Sequence, residues 1–188
     1  MAIEHGDVTR NAMCNAVLNL LNSGSSVNRA GGYGKLLIMD SSLDEAGDAH
    51  GTQHPNAGTY QPSSDPAYPN LGKSDYWIIA ELPMSNPAFL PAGDDLLDED
   101  GSTVVTPGTI GTAHANEILP DESCSAPGGP GQTATADRFE FVDGDYQVIV
   151  QGNVRIQTDT DADIALTSVV IAHDDTIAIR NLSYTAAP

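Results

Sequence analysis

The chain has 188 residues, and its 26 Asp and Glu against seven Lys and Arg give a formal net charge of −19 at pH 7. Such a surface repels nucleic-acid phosphates and anionic membranes, so neither is an expected partner. Hydrophobic residues make up 40% of the chain, which is enough to build the core of one domain over residues 1–188. Lys is scarce along the whole chain, and this favours a salty habitat over a basic docking partner as the origin of the charge.

The two cysteines, Cys14 and Cys124, are too few for a disulfide framework. Cys14 falls on an apolar helical face, which predicts a buried free thiol. The opening residues MAIEHGDV lack the basic start and apolar core of a secretory signal. No apolar stretch is long enough to span a bilayer. We therefore expect a soluble protein that is made in a cytoplasm.

The first predicted element is an amphipathic helix over residues 7–22. Its apolar residues recur at three- and four-residue spacing, at Met13, Ala16, Val17, Leu20 and Leu21. Asp7 or Thr9 can cap its start, and Gly24 stands where a C-terminal cap belongs. A helix this short needs tertiary packing to persist.

Short strands are predicted next, within residues 35–40, 76–82 and 103–118. The run KLLIM at 35–39 is apolar throughout and indicates a buried strand. Residues 43–74 are polar and rich in Gly, Pro, His and Asn, which predicts a long inserted loop. A Gly/Pro/Ser loop is predicted at 120–133.

The final third, residues 136–188, alternates apolar and polar residues with the period of half-buried antiparallel strands. A hairpin is predicted at 143–145, with one apolar face formed by Phe139, Phe141, Tyr146, Val148 and Val150. A last strand run is marked by Ile177, Ile179, Leu182 and Tyr184. The predicted fold is mainly β, an antiparallel β-sandwich-like domain with one N-terminal α-helix and long irregular loops.

The sharpest candidate for ion binding is the segment TDTDAD. Asp159, Asp161 and Asp163 alternate there, and alternate carboxylates on an extended segment point to one side, where they could bind Ca²⁺. The glycine and distal Glu of an EF-hand loop are missing, so a solvated acidic turn without metal is the favoured interpretation.

Other polar clusters favour structural roles. The acidic run 94–100 departs from the EF-hand pattern and is interpreted as a charged loop tip. His50 and His54 have the spacing of helical zinc ligands, but Gly51 and Pro55 argue against a helix. Glu81 and Glu140 are the acids within strong strand patterns. A glycosidase-like pair needs one carboxylate in an apolar pocket, whereas alternation places both on solvated strand faces.

Aromatic residues supply the candidate interface positions. Trp77 beside a Gly/Tyr/Pro-rich loop resembles a sugar-binding platform, although a lone Trp in such a strand is more often core. Tyr33, Tyr60 and Tyr68 lie in predicted loops, where Tyr offers amphipathic contact area for a partner.

Five segments of the chain, taken in their order and spacing, carry a resemblance to a known family. They are TRNAMCNAVLNLLNSG at 9–24, IIAELPMSNPAFLPAG at 78–93, GTIGTAHANEI at 108–118, TADRFEFVDGDYQVIVQGNV at 135–154 and DIALTSVVIAHDDTIAIRNLSYTAAP at 163–188. In this order they resemble a family of small virion structural proteins of tailed bacteriophages, which begin with a helix of the type ARNAALDALxxLLNGG. The resemblance covers most of the chain. The long loop 43–74 and the acidic insert 94–101 depart from the family pattern.

The resemblance implies a non-enzymatic virion component that is assembled in the host cytoplasm, with no catalytic residue and no cofactor. A capsid decoration or minor capsid protein is the leading interpretation. A tail, head–tail connector or fibre component is the alternative, and a carbohydrate-binding module is the second alternative. The implied partners are the major capsid protein and further copies of the chain, in a homo-oligomer for which a trimer is one option. Loops 43–74 and 120–133 are expected to make these contacts.

Overall fold

The computed structural model describes residues 6–22, 34–44, 76–98, 101–144 and 148–186. Within these ranges the chain forms one α-helix, a short 3₁₀ helix and a set of mostly short strands, which confirms the mainly β class with one N-terminal helix. The helices are α1 (Asp7–Asn19) and η1 (Leu20–Asn22). The strands are β1 (Lys35–Asp44), β2 (Tyr76–Pro83), β3 (Leu96–Leu97), β4 (Val104–Thr106), β5 (Thr112–His114), β6 (Thr133–Thr135), β7 (Arg138–Val142), β8 (Val148–Ile156), β9 (Ile164–Leu166), β10 (Val170–Ala172) and β11 (Ser183–Thr185).

The predicted helix is confirmed, but its cap and its buried stripe differ from expectation. Its N-cap is Gly6, with no side-chain hydrogen bond, so neither Asp7 nor Thr9 has the predicted role. The buried side chains are Cys14, Leu18 and Leu21, whereas Met13, Ala16 and Leu20 are exposed. The buried stripe is therefore rotated by about one residue from the predicted one.

Two asparagines fix the helix against the β structure. The Oδ1 atom of Asn15 accepts the Ala92 amide at 2.8 Å, and the Oδ1 atom of Asn11 accepts the Gly111 amide at 2.6 Å. Each bond satisfies a loop amide that the helix partly covers, so the helix is positioned by polar contacts as well as by its apolar stripe.

The central sheet has the strand order β2-β1-β7-β8-β9. Neighbouring strands in this sheet are antiparallel, except that β8 and β9 are parallel, with Val154 opposite Ile164. Strand β1 extends to Asp44, so residues 43 and 44, which were predicted to open the inserted loop, belong to a strand. Residues 45–75, which hold nearly all of the predicted inserted loop, lie outside the described residues.

The first face of this sheet forms the main hydrophobic core. Leu36 and Ile38 of β1 lie beside Phe139 and Phe141 of β7, whose rings meet edge to face with centroids 5.4 Å apart. Buried side chains of α1, β5, β6 and β10 complete the same core. The small ladders β6–β10 and β5–β11 therefore pack over one face of the sheet, as a sandwich-like arrangement requires.

Two features of the predicted C-terminal strands are corrected. A β-bulge shifts the register so that Phe141 pairs with Val150 while Val142 pairs with Val148. Val148 therefore packs on the opposite side of the sheet from Val150. In the predicted final run only residues 183–185 form a strand; residues 178–182 pair with no strand among those described.

No helix in the described part of the chain is long and apolar enough to cross a membrane.

Candidate functional site

The second face of the central sheet is buried and carries charge. Leu37, Met39 and Val142 are fully buried on it, and Glu140 lies among them with none of its surface exposed. Glu140 and Glu81 both pair with Leu37, from the two strands that flank β1. The interpretation of Glu140 as a solvated residue is therefore wrong, because this face of the sheet is buried as well as the first.

Each of these carboxylates is neutralised by a cation. The Nε atom of Arg138 lies 3.3 Å from Oε1 of Glu140, and the Arg138 guanidinium also donates to the Gln151 side-chain oxygen. The same guanidinium lies over the ring of Tyr76, with its carbon 5.2 Å from the ring centroid. Lys35 forms an ion pair with Glu81, whose side chain is 35% exposed. Buried charge is tolerated when it is paired in this way.

This arrangement does not have the chemistry of a glycosidase pair. A general acid needs a carboxyl group that stays protonated in an apolar pocket and reaches the substrate. Glu140 is enclosed and contacts a guanidinium, and Glu81 contacts an ammonium group. Both residues are instead paired charges: Lys35 and Glu81 join β1 to β2, whereas Arg138 and Glu140 pair within β7.

Two of the three calcium candidates, Asp159 and Asp163, accept backbone amides around the connection between β8 and β9. The Asp163 carboxylate accepts the Asn153 amide, and the Asn153 side chain accepts the Asp163 amide, both at 2.9 Å. Asp159 accepts the Asp161 amide at 2.9 Å and lies 3.5 Å from the Arg155 guanidinium. Among the described residues, no three His, Cys, Asp or Glu side chains are grouped to hold a metal ion.

The acidic run after β2 also closes a turn. Asp98 accepts the amides of Ser102 and Thr103, and Asp95 accepts the Gly108 amide at 2.6 Å. These bonds join β3 and β4 into a hairpin. Residues 99–100 and both histidines of the predicted zinc pair, His50 and His54, lie outside the described residues.

Only one of the predicted interface aromatics lies in the described part of the chain. Trp77 is partly buried against the main core, and its indole N–H donates to the Ser125 carbonyl at 3.3 Å. It thereby fixes the Gly/Pro-rich loop to β2, which agrees with a core role. Tyr33, Tyr60 and Tyr68 fall outside the described residues.

Both thiols are buried and free, as predicted for Cys14. Burial raises the pKa of Cys14, whose Sγ lies 3.7 Å from the Tyr184 carbonyl oxygen. Burial also raises the pKa of Cys124 to about 11, and the negative charges of Asp121 and Asp175 add to the shift. A thiol with a raised pKa is a poor nucleophile, because little of it is thiolate at neutral pH. Both thiols therefore act as small apolar groups of the core.

A surface groove of about 900 Å³ was not anticipated from the sequence. It is lined by residues 163–168 and 175–183, together with Val170 and Ile171. Its lining includes the buried apolar side chains Ile164, Leu166 and Ile177 and the exposed charges of Asp163, Asp175 and Arg180. The groove depends on how β9 and the last extended segment are placed in space, which local pattern does not reveal.

The charged second face had a partial signal in the sequence. The uninterrupted apolar run of β1 predicts a strand with both faces buried, and β7, with the sequence RFEFV, lies beside it. An acid and an Arg two residues apart on a strand share one face, so Arg138 and Glu140 were placed to pair.

Comparison with known proteins adds no family, since no family model, no curated protein and no solved structure matches the chain.

Proposed function

We propose that this chain is a non-enzymatic structural protein of a tailed-phage particle, attached to the capsid shell as a decoration or minor capsid protein. The support comes from the resemblance in five segments and from the way those segments contact one another. A scaffold function needs a rigid framework that presents loops, whereas catalysis needs accessible reactive groups.

The observation that carries the proposal is the mutual packing of the five resembling segments. The helix segment 9–24 bonds to segment 78–93 through Asn15 and to segment 108–118 through Asn11. It meets segment 163–188 where the Cys14 thiol lies 3.7 Å from the Tyr184 carbonyl.

Segment 135–154 joins the same cluster through its aromatic rings. Phe89 of segment 78–93 packs edge to face on Phe141, with centroids 5.8 Å apart. The residues that carry the resemblance thus form one contiguous framework, as expected if the shared pattern encodes a shared scaffold.

The environment of the acidic residues also favours a structural role. Glu81 and Glu140 are paired with cations, and Asp95, Asp98 and Asp163 accept backbone amides in turns. These contacts stabilise the fold. None of those interactions prepares a carboxyl group for proton transfer to a substrate.

Protein counting in purified particles tests the proposal. Particles of the phage that encodes the chain are purified, and isotope-labelled peptide standards quantify this chain against the major shell protein. We expect hundreds of copies per particle, because a decoration protein repeats over the shell lattice. About a dozen copies would instead indicate a single connector ring.

The same measurement can contradict the proposal outright. Complete absence of the chain from particles, with abundant protein in infected cells, would exclude a virion role. A matched control is an early non-virion protein of the same phage, which reports the background carried over during purification.

A further inference from the structure

Strand β9 forms one edge of the central sheet, and its outer backbone is available. The Leu166 carbonyl accepts the Gln157 amide of the β8 side at 2.8 Å. Backbone groups of successive strand residues point to opposite sides, so the N–H and C=O of Ala165 point away from β8. The Ala165 side chain is exposed, and β9 has no neighbour on its outer side among the described strands.

The second segment that lines the groove also has unpaired backbone. Ile177 exchanges two backbone bonds with Asp121, and the Leu182 carbonyl accepts the Ala115 amide. Between these anchors, no backbone hydrogen bond to a described residue is made by residues 178–181. This stretch is held at both ends, and the backbone groups between them have no backbone partner among the described residues.

No backbone hydrogen bond joins the two segments across the groove, in the part of the chain that the structure describes. Among the described residues, the groove therefore has two borders whose backbone groups lack partners, and its lining mixes apolar side chains with exposed polar ones. Edge strands are commonly protected by an outward charge, a proline or very short length. The three residues of β9, Ile164, Ala165 and Leu166, include no charge and no proline, so of these protections β9 has its short length.

We propose that this groove binds an extended peptide segment of another protein by strand addition to β9, and that the segment is basic. Main-chain hydrogen bonds to Ala165 would supply the pairing, as in other strand-addition complexes. Alternate apolar side chains of the segment would contact Ile164 and Leu166, while its intervening residues face solvent and the acidic rim.

The charges of the groove lining indicate the chemistry of the occupant, and a second copy of the chain would bring the same acidic lining to this edge. Asp163 and Asp175 are exposed in the groove lining and outnumber the one cation there, Arg180. A segment bearing Lys or Arg between its apolar residues complements this lining.

This inference does not depend on a virion role, since the groove geometry is independent of where the chain resides. Its test uses the whole purified protein, labelled with ¹⁵N, and a defined probe. The probe is a fluorescein-labelled peptide about nine residues long, a usual strand length, in which Val alternates with Lys and Thr. Fluorescence anisotropy measures binding, and amide chemical shifts locate it.

We expect the probe to bind and to shift the amide signals of residues 163–168 and 178–182. A twin peptide methylated on alternate backbone nitrogens should bind about tenfold more weakly, because it cannot donate the main-chain hydrogen bond to the Ala165 carbonyl. A twin with Glu in place of Lys should weaken binding comparably in low salt.

A protein variant provides the reciprocal test. Ala165→Pro removes the outward N–H, which the β8 ladder does not use, and should reduce probe binding by about tenfold. Ala165→Thr keeps that N–H and is the matched control, with binding near wild type. Thermal unfolding of both variants establishes that they are folded, and the methylated peptide tests the idea on wild-type protein if Ala165→Pro is not.

Three outcomes overturn the proposal. Equal binding of the plain and methylated peptides means that attraction is electrostatic only. Shifts spread over the acidic surface instead of the groove exclude a built site. A concentration-dependent dimer of the protein that Ala165→Pro abolishes identifies a second copy, not a basic partner, as the occupant.

Discussion

The two faces of the central sheet are both buried, but they are built differently. The first face presents aliphatic and aromatic side chains, with Phe139 and Phe141 packed edge to face. The second face mixes Leu37 and Met39 with the ion pair of Arg138 and Glu140. Successive residues of one strand therefore satisfy two different kinds of interior.

The difference shows how a charged residue can occupy a sheet interior. An isolated buried carboxylate is strongly destabilising, whereas a paired and hydrogen-bonded one is tolerated. Arg138 contacts Glu140, Gln151 and the Tyr76 ring at once, so its charge is matched on several sides. The contacts with Gln151 and Tyr76 reach two other strands, while the first face is stabilised by its buried apolar area.

The largest expected effect comes from breaking the pair on the second face. Glu140→Ala leaves the Arg138 charge without its carboxylate, and we expect a loss of about 3–5 kcal/mol in the free energy of unfolding. Urea denaturation followed by circular dichroism measures it. Arg155→Ala, which removes an ion pair whose guanidinium side chain is 52% exposed, is the control and should cost less than about 1 kcal/mol.

A double variant separates pairing from burial. Arg138→Met with Glu140→Leu replaces both charges by apolar groups of similar length, and stability should return to within about 1 kcal/mol of wild type. If the double variant is as unstable as Glu140→Ala, the ion pair is not the reason for the loss, and the difference between the two faces is one of shape alone.

Local sequence patterns anticipated one face of the sheet better than the other. Alternation at Phe139 and Phe141 predicted the first face, and the helix over residues 7–22 followed from its spacing. The same alternation misplaced Glu140, because a period of two separates faces without saying whether a second layer covers the polar one. Val148 was misplaced because a bulge, which adds one residue, reverses the faces beyond it.

The candidate site was less accessible to sequence reasoning than the fold. The groove forms between β9 and residues 175–183, and it depends on a parallel pairing that no local motif specified. Ile177 and Ile179 are spaced by two, as are Leu182 and Tyr184, yet residues 178–182 have no strand partner among the described residues. Strand pairing depends on tertiary contacts. The sequence of a strand of two or three residues therefore says little about which strand it pairs with.

A smaller effect is expected from a steric change on the first face. Gly152 of β8 pairs with Phe139, and a Cβ atom there would lie 2.5 Å from the Phe139 ring and 2.7 Å from the Asp163 carboxylate. Gly152→Ala should therefore cost about 1–3 kcal/mol in the free energy of unfolding, by overpacking. Urea denaturation measures this loss. Gly101→Ala cannot serve as its steric control, because the backbone of Gly101 has a φ of +73°, which disfavours any side chain.

The better control relieves the contact from the other side. Phe139→Leu shortens the ring that Gly152 contacts, so Gly152→Ala should cost less in a Phe139→Leu background than in wild type. Additive effects of the two substitutions would contradict a clash with the ring.

The smallest expected effect lies in the core behind the first face, at the Cys124 thiol. Its pKa is raised from an ordinary 9.0 to about 11 by burial, with Asp121 and Asp175 adding to the shift. Between these values the unfolded chain releases the thiol proton while the folded chain keeps it, so stability is full below pH 9 and falls as pH rises toward 11. At pH 10 the loss from this group should be about 1 kcal/mol.

Urea denaturation from pH 7 to 11 in reducing buffer should give a shallower decline for Cys124→Ala than for wild type. Tyrosines and lysines titrate in both proteins and cancel in the difference, so parallel profiles would mean that Cys124 is solvated enough to ionise in the folded state.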